Sequence, residues 1–168
     1  MWWLAGIGGV LLSCFGFVLL RGAPYLPTLT RQVDTALDLI GLREGQTLLE
    51  LGCGDGKVLI AAAERGWNVV GYELNPILAF IAWARTRRFR KGPGRVKVVC
   101  GDFWSKKWPP AEGIFVFLLD SFMLKLDTKI VQSYGKSVKP VKLVSFAFQI
   151  PGRKADIERD GLFLYEYK

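Results

Sequence analysis

Residues Leu48 to Gly56 read LLELGCGDG. A hydrophobic run carrying one acid, Glu50, gives way to glycine at every second position: Gly52, Gly54 and Gly56. The pattern predicts a buried strand that breaks into a tight turn and opens a helix at Gly56–Lys57. Glycine belongs where backbone must turn sharply and lie against a ligand, because a β-carbon would fill the ligand's space. Downstream, Glu73 ends a second strand-like run, WNVVGYE, 23 residues after Glu50. A carboxylate at that point of an open α/β sheet can accept hydrogen bonds from both hydroxyls of a ribose.

The spacing discriminates among nucleotides. A dinucleotide fingerprint, G-x-G-x-x-G, would place its third glycine at position 57, where this chain has Lys57, and the P-loop pattern G-x-x-x-x-G-K-[ST] is absent. The E-x-G-x-G-x-G spacing resembles the first motif of class I S-adenosylmethionine methyltransferases. Glu50 suits that reading, since a carboxylate repels phosphates and helps hold an ammonium group. A glycine turn alone is weak evidence and fits a structural turn in another α/β protein. The turn, its acid and the spaced Glu73 make a stronger set.

Around this stretch, strand and helix patterns alternate. A helix reads from Thr30, with Val33, Ala36, Leu37 and Ile40 on one face and Gly41 as its stop. Then come strand TLLEL, a helix from Gly56 to Arg65, strand NVVGYE, and a helix capped by Asn75 with Pro76 at its first position. Strand RVKVVC, strand GIFVFLL, a helix over Met123 to Tyr134 and strand VKLVSFAF follow. The alternating tail GLFLYEYK is expected to add an antiparallel edge strand. Such alternation implies an α/β fold with a doubly wound, mostly parallel sheet. Ligands in such sheets bind at the carboxyl ends of the strands, where Glu50 to Gly56, Glu73, Asp102 and Asp120 all fall. Asp102, in CGDFW, is a candidate partner for an adenine amino group, with Phe103 or Trp104 against the ring. It is equally a turn residue, and Trp104 and Trp108 read first as ordinary packing.

At 168 residues the chain has room for one domain with its own core. Residues 2–20 carry no charge. As a helix they would extend about 28 Å, close to the thickness of a bilayer's hydrocarbon layer. A signal peptide would want a basic start and a small-residue cleavage site, so a transmembrane anchor is the favoured reading. The organisation expected is an anchor over 1–20, a linker and helix over 21–45 and the catalytic domain over 46–168. All 23 Lys and Arg lie after the span, beginning with Arg21. The positive-inside rule then keeps the domain on the cytoplasmic, or organelle-matrix, side. Ala5, Gly9 and Ser13 recur every four residues, a spacing that permits close helix contact in lipid.

The net charge is +8, densest in RTRRFRK, where Arg85, Arg87, Arg88, Arg90 and Lys91 are candidate contacts to anionic lipid. Part of that run also complements a helix dipole. Nucleic acid is the less favoured counter-charge. Cys14, Cys53 and Cys100 have no metal-ligand spacing, so no metal is expected, and their odd number argues against a disulfide framework. Histidine is absent, which excludes histidine bases, Ser-His triads and His-ligated zinc.

In order along the chain, the apolar span, PYLPT, LLELGCGDGK, GYELNP, GDFW and VFLLDSFMLKLDTKI resemble a family of membrane-anchored protein-lysine methyltransferases. That family includes the mitochondrial enzymes that modify adenine nucleotide translocase and the c-subunit of ATP synthase. The resemblance implies a Rossmann-like class I methyltransferase domain preceded by one transmembrane helix, S-adenosylmethionine as cofactor and lysine of a membrane protein as methyl acceptor. It maps cofactor binding onto the glycine turn, Gly52, Cys53, Gly54 and Gly56, and onto Glu73, with Tyr25 and Thr28 covering the site; Glu50, Leu74, Asn75, Asp102 and Phe103 complete the candidate cofactor contacts. After the fourth strand, Asp120 stands where a proline would be expected. It is a candidate to draw in the substrate ammonium or accept its proton, and equally a helix cap. Little follows VKLVSFAF except a short hairpin. Two other readings stay open: RNA or small-molecule methylation, and a non-catalytic cofactor-binding scaffold at the membrane.

Overall fold

Every side chain of β1 (Thr47–Leu51) from Leu48 onward is buried, and their alternation divides the core. Leu48 faces one apolar cluster while Leu49 and Leu51 face the other, as the two-residue period of a strand requires. The protein is seen here in a computed structural model that describes residue 2, residues 30–135, residue 137 and residues 139–168. Apart from residue 2, the expected anchor, its flanking linker, Tyr25 and Thr28 lie outside the described residues. Among those described, no helix is long and apolar enough to cross a membrane.

The other strands are β2 (Asn68–Glu73), β3 (Val96–Cys100), β4 (Gly113–Val116), β5 (Val141–Phe146), β6 (Ile157–Arg159) and β7 (Leu162–Tyr167). They form one sheet in the order β3-β2-β1-β4-β5-β7-β6. The first five run parallel and β7 and β6 run antiparallel. Helices α1 (Thr30–Ile40), α2 (Lys57–Glu64), α3 (Pro76–Thr86) and α4 (Met123–Tyr134) cover both faces. Val33, Ala36, Leu37 and Ile40 of α1 join Leu59 and Ala62 of α2 and Ala82 of α3 in the cluster with Leu48. Met123, Leu126 and Ile130 of α4 join the opposite one. The sheet is the doubly wound, mostly parallel one expected.

Three boundaries differ from the sequence reading. The fourth strand stops at Val116 instead of running to Leu119, because β1 ends opposite it at Leu51, where Gly52 turns away with φ +90°. The fifth stops at Phe146, since Ala147 takes a left-handed φ of +71°. The tail strand is not an edge: β7 lies between β5 and β6. Asp160 and Gly161, both with positive φ, close the β6–β7 hairpin and leave β6 outermost.

Gly71 shows how closely α2 and the glycine turn sit on the sheet. A β-carbon there would lie 2.8 Å from Leu59 Cδ2 and 2.9 Å from both Cβ and Sγ of Cys53. Gly71→Val should therefore destabilise the fold by about 1–3 kcal/mol through overpacking. Urea unfolding at matched slope would read the loss, and an unchanged midpoint would show that the layer yields freely.

Candidate active site

The backbone after β1 is held by one carbonyl. Tyr72 O accepts from Gly52 N at 2.9 Å and from Cys53 N at 2.8 Å, so the turn is stitched to the end of β2. Gly52, Gly54 and Gly56 all have positive φ, conformations that a side chain resists. Gly56 also packs on α3, where an added β-carbon would lie 3.1 Å from Ala82 Cβ. Around Gly52 the same construction meets nothing within 4 Å. The turn thus presents an open backbone face at the carboxyl end of the parallel sheet.

Glu73 closes the turn from the side. Its carboxylate accepts from Gly54 N and from Asn75 N, each at 2.8 Å. Asn75 Oδ1 accepts from Ile77 N at 2.9 Å and caps α3, with Pro76 behind it, as the sequence predicts. Burial pushes the Glu73 carboxyl up, against the lowering effect of the N–H groups of Asn75, Gly54 and Leu74. Glu50 lies deeper, 4% exposed, and its Oε2 has no hydrogen-bond partner. Burial raises its pKa well above the ordinary carboxylate range, with the charges of Glu73 and Asp55 adding to the effect. Both neighbouring carboxyls are thus raised, Glu50 the more strongly through its deeper burial.

Cys53 was expected among the cofactor contacts, but its side chain turns into the core beside Leu59. Only its backbone belongs to the turn, and burial pushes its thiol up, away from the reactive thiolate. Leu74 is half-buried beside Glu73. Asp102 follows β3, and its Oδ1 accepts from Trp104 N at 2.8 Å, the turn role open to it from the sequence. Phe103 and Trp104 meet at a tilt of 42°, with ring centres 4.6 Å apart. Trp104 reaches Phe122 at 6.2 Å, and buried Trp108 donates its indole N–H to Phe103 O. This aromatic wall joins the loops after β3 and β4. Asp120 opens the 3-10 turn Asp120–Phe122, exposed, and caps no helix through its side chain.

Other contributors gave little signal in the sequence. Arg85 ties the glycine turn to α3: it donates to Asp55 O at 3.0 Å and pairs with the Asp55 carboxylate. Arg88 is taken by Glu64 at 2.6 Å. Two of the five cations read as lipid contacts are therefore engaged by acids, which a chain-local view of RTRRFRK does not reveal. Lys129 of α4 donates to Trp104 O at 2.8 Å and to Lys106 O at 3.2 Å, pinning the aromatic loop. Burial lowers its pKa. Beyond β5, Ser145 Oγ donates to Phe148 O at 2.8 Å beside the left-handed Ala147. Among the described residues no group of three or more His, Cys, Asp or Glu side chains is placed to hold a metal.

Comparison with known proteins agrees with this geometry. A family model described as the ANTKMT methyltransferase domain matches residues 50–157. The chain is 34% identical over 108 residues to the ATP synthase c-subunit lysine N-methyltransferase of Homo sapiens, covering 64% of this chain and 45% of that one. It is 33% identical over 134 residues to the adenine nucleotide translocase lysine N-methyltransferase of Mus musculus, covering 76% and 54%. The chain thus spans about half the length of these relatives. Among solved structures, an RNA methyltransferase from Salinibacter ruber in complex with S-adenosyl-L-homocysteine superposes with a TM-score of 0.71. It is 25% identical, and the match covers 84% of this chain and 92% of that one.

Proposed function

The chain belongs to the ANTKMT methyltransferase domain family, and from that premise we propose that it is an S-adenosylmethionine-dependent protein-lysine N-methyltransferase, tethered to a membrane by residues 2–20 and acting on a membrane protein. The observation that carries the reading is the open-faced turn at Gly52, flanked by the buried carboxyls of Glu50 and Glu73. That arrangement fits the cofactor's chemistry. A nucleoside with a ribose diol needs an acceptor such as Glu73, its amino-acid ammonium needs a carboxylate, and Glu50 has a buried oxygen without a partner. Gly52 leaves room for both to lie against the backbone. S-adenosylmethionine, when bound, supplies a methyl group already activated by the positive charge on its sulfur.

What remains for the protein is alignment, desolvation and handling of one proton. A lysine amine has a reference pKa of about 10.4 and must be neutral when it attacks. The aromatic wall of Phe103, Trp104 and Phe122 offers apolar surroundings that disfavour the charged amine. Asp120, exposed beside that wall, draws in the ammonium and receives or passes on its proton. The tether raises the local concentration of membrane-borne acceptors and, on the positive-inside rule, holds the domain on the cytoplasmic or matrix side.

Asp120→Asn tests the assignment of the acid. The fold should change by less than about 0.5 kcal/mol, as for most surface substitutions. Turnover is expected to fall by roughly 10²-fold, the lower end of the range for a positioned proton-transfer group. Unchanged turnover would remove Asp120 from the mechanism.

The whole reading is tested by incubating the full chain with methyl-labelled S-adenosylmethionine and membranes from its own source, with Glu73→Ala as control. Label on a discrete protein, mapped to lysine and lost in the control, is the expected result. Label only in RNA would favour the alternative that the cationic 85–97 stretch raises, and its steep loss with salt would identify it. Cofactor binding without transfer to any membrane protein would favour the scaffold.

A further inference from the structure

From residue 74 to residue 101 the chain runs 28 residues with seven Lys and Arg and no acid. This stretch folds into α3 and β3, the outer strand at the parallel end of the sheet. Asp55 and Glu64 engage Arg85 and Arg88. Arg87, Arg90, Lys91 and Lys97 are exposed and make no ion pair among the described residues.

The same stretch holds three of the eight large hydrophobic side chains that are exposed among the described residues, within four positions: Phe80 at 64%, Ile81 at 37% and Trp83 at 44%. Such clustering marks a surface meant to be covered. Phe80 and Trp83 stack with ring centres 5.7 Å apart, and the Arg90 guanidinium sits 4.4 Å over Trp83. Beside them Pro76, Ala79, Val98 and Cys100 complete a hollow of about 230 Å³.

We propose that this face of α3 and β3 seats on an anionic bilayer leaflet, with Phe80, Ile81 and Trp83 entering the headgroup boundary and the cations meeting lipid phosphates. Aromatic rings with flanking Lys and Arg are the composition that settles at such an interface. A second copy of the chain is disfavoured, because a two-fold contact would bring the same cations together. RNA would use the rings for stacking but gives no role to Ile81 or the apolar hollow. The proposal rests on the proposed anchor for its geometry. Nine residues, 21–29, separate the span from Thr30. Fully extended they reach roughly 30–35 Å, comparable with the width of a domain whose radius of gyration is about 14 Å. The domain is thereby kept within reach of the leaflet.

The test uses the full chain in phosphatidylcholine vesicles with brominated acyl chains, prepared with and without phosphatidylserine. Subtracting the emission of Trp83→Phe from that of the unaltered protein isolates Trp83 among the six tryptophans. More than half of that component should be quenched in the phosphatidylserine vesicles and almost none in the neutral ones. Phe80→Trp places a further reporter on the same face and should gain a quenched component, independently of how well Trp83→Phe folds. With each cation near a membrane surface worth about 1 kcal/mol, close to fivefold, reversing three (Arg87→Glu, Arg90→Glu, Lys91→Glu) should weaken seating by more than about 100-fold. Quenching would vanish while residues 2–20 still carry the protein into the vesicle pellet.

Absence of quenching in both lipids overturns the proposal, as does quenching that ignores lipid charge. A Trp83 response to single-stranded RNA but not to anionic vesicles would assign the face to nucleic acid instead. A response to protein concentration alone would assign it to a second copy. Failure to pellet with neutral vesicles would remove the anchor without touching the lipid-charge readout. Cofactor affinity in detergent should be unchanged in all these variants, which separates this face from the proposed reaction.

Discussion

Glu73→Ala is expected to remove cofactor binding and a large part of the fold's stability together. The Glu73 carboxylate is the acceptor for two buried N–H groups, Gly54 N and Asn75 N. Each buried donor left without a partner costs about 1–3 kcal/mol. The pair therefore predicts a loss of about 2–6 kcal/mol, or roughly 5–20 °C in thermal midpoint for a chain of this size. Cofactor affinity should fall by more than about 100-fold, because the turn loses its brace and the ribose its acceptor. The less obvious expectation concerns Glu73→Gln. An amide offers one oxygen, so its NH₂ must face one of the two N–H donors, and roughly half of the stability loss should persist. Calorimetric melting with titration of S-adenosyl-L-homocysteine separates the two effects. A Gln variant with the stability and affinity of the unaltered chain would show that the bidentate brace is not what holds the turn.

Glu50→Gln should act in opposite directions on fold and binding. The free protein keeps Glu50 protonated beyond the ordinary carboxylate range, through burial and then the charges of Glu73 and Asp55. A raised folded-state pKa contributes stability that is complete below the unfolded value, about 4.3 for glutamate. It is lost as pH rises through the folded value, with a slope of about 1.4 kcal/mol per pH unit for one proton. The unliganded protein should therefore lose stability as pH rises above the ordinary carboxylate range. Gln, which never ionises, should flatten that decline to the part left by Glu73, whose pKa is also raised. At neutral pH the variant should melt higher than the unaltered chain. It should also bind cofactor at least about tenfold more weakly, since a charge-assisted contact of about 1.5–3 kcal/mol is missing. In the unaltered chain binding should release a proton, read as an enthalpy that varies with the buffer's ionisation heat. Parallel stability–pH curves for the two proteins would show that Glu50 ionises normally.

Much of the fold was legible because its signals are local. The short apolar runs TLLEL and NVVGYE, apolar spacing in α1 and the Asn75–Pro76 cap each state a conformation within a few residues. The strand ends were less legible. Val116 is a terminus because β1 has already turned away beside it, and Ala147 ends β5 through a left-handed φ that an alanine does not advertise. The tail looked like an edge because nothing in GLFLYEYK announces β6 on its far side.

The site divides along the same line. By itself the sequence determined that a glycine turn with an acid before it and a second acid 23 residues on would gather at one rim of a parallel sheet, because that arrangement follows from spacing and strand polarity. Only the tertiary structure decided which of these groups stay free at that rim and which are buried or paired. Cys53, inside the motif, turns into the core, and Asp102 spends one oxygen on Trp104 N. Arg85, outside the motif, braces the turn through Asp55, while Arg87 stays exposed and Arg90 lies over Trp83. The reason is physical: backbone conformation is set by near neighbours along the chain, whereas burial, charge pairing and the protonation of Glu50 depend on elements that meet only when the sheet has closed.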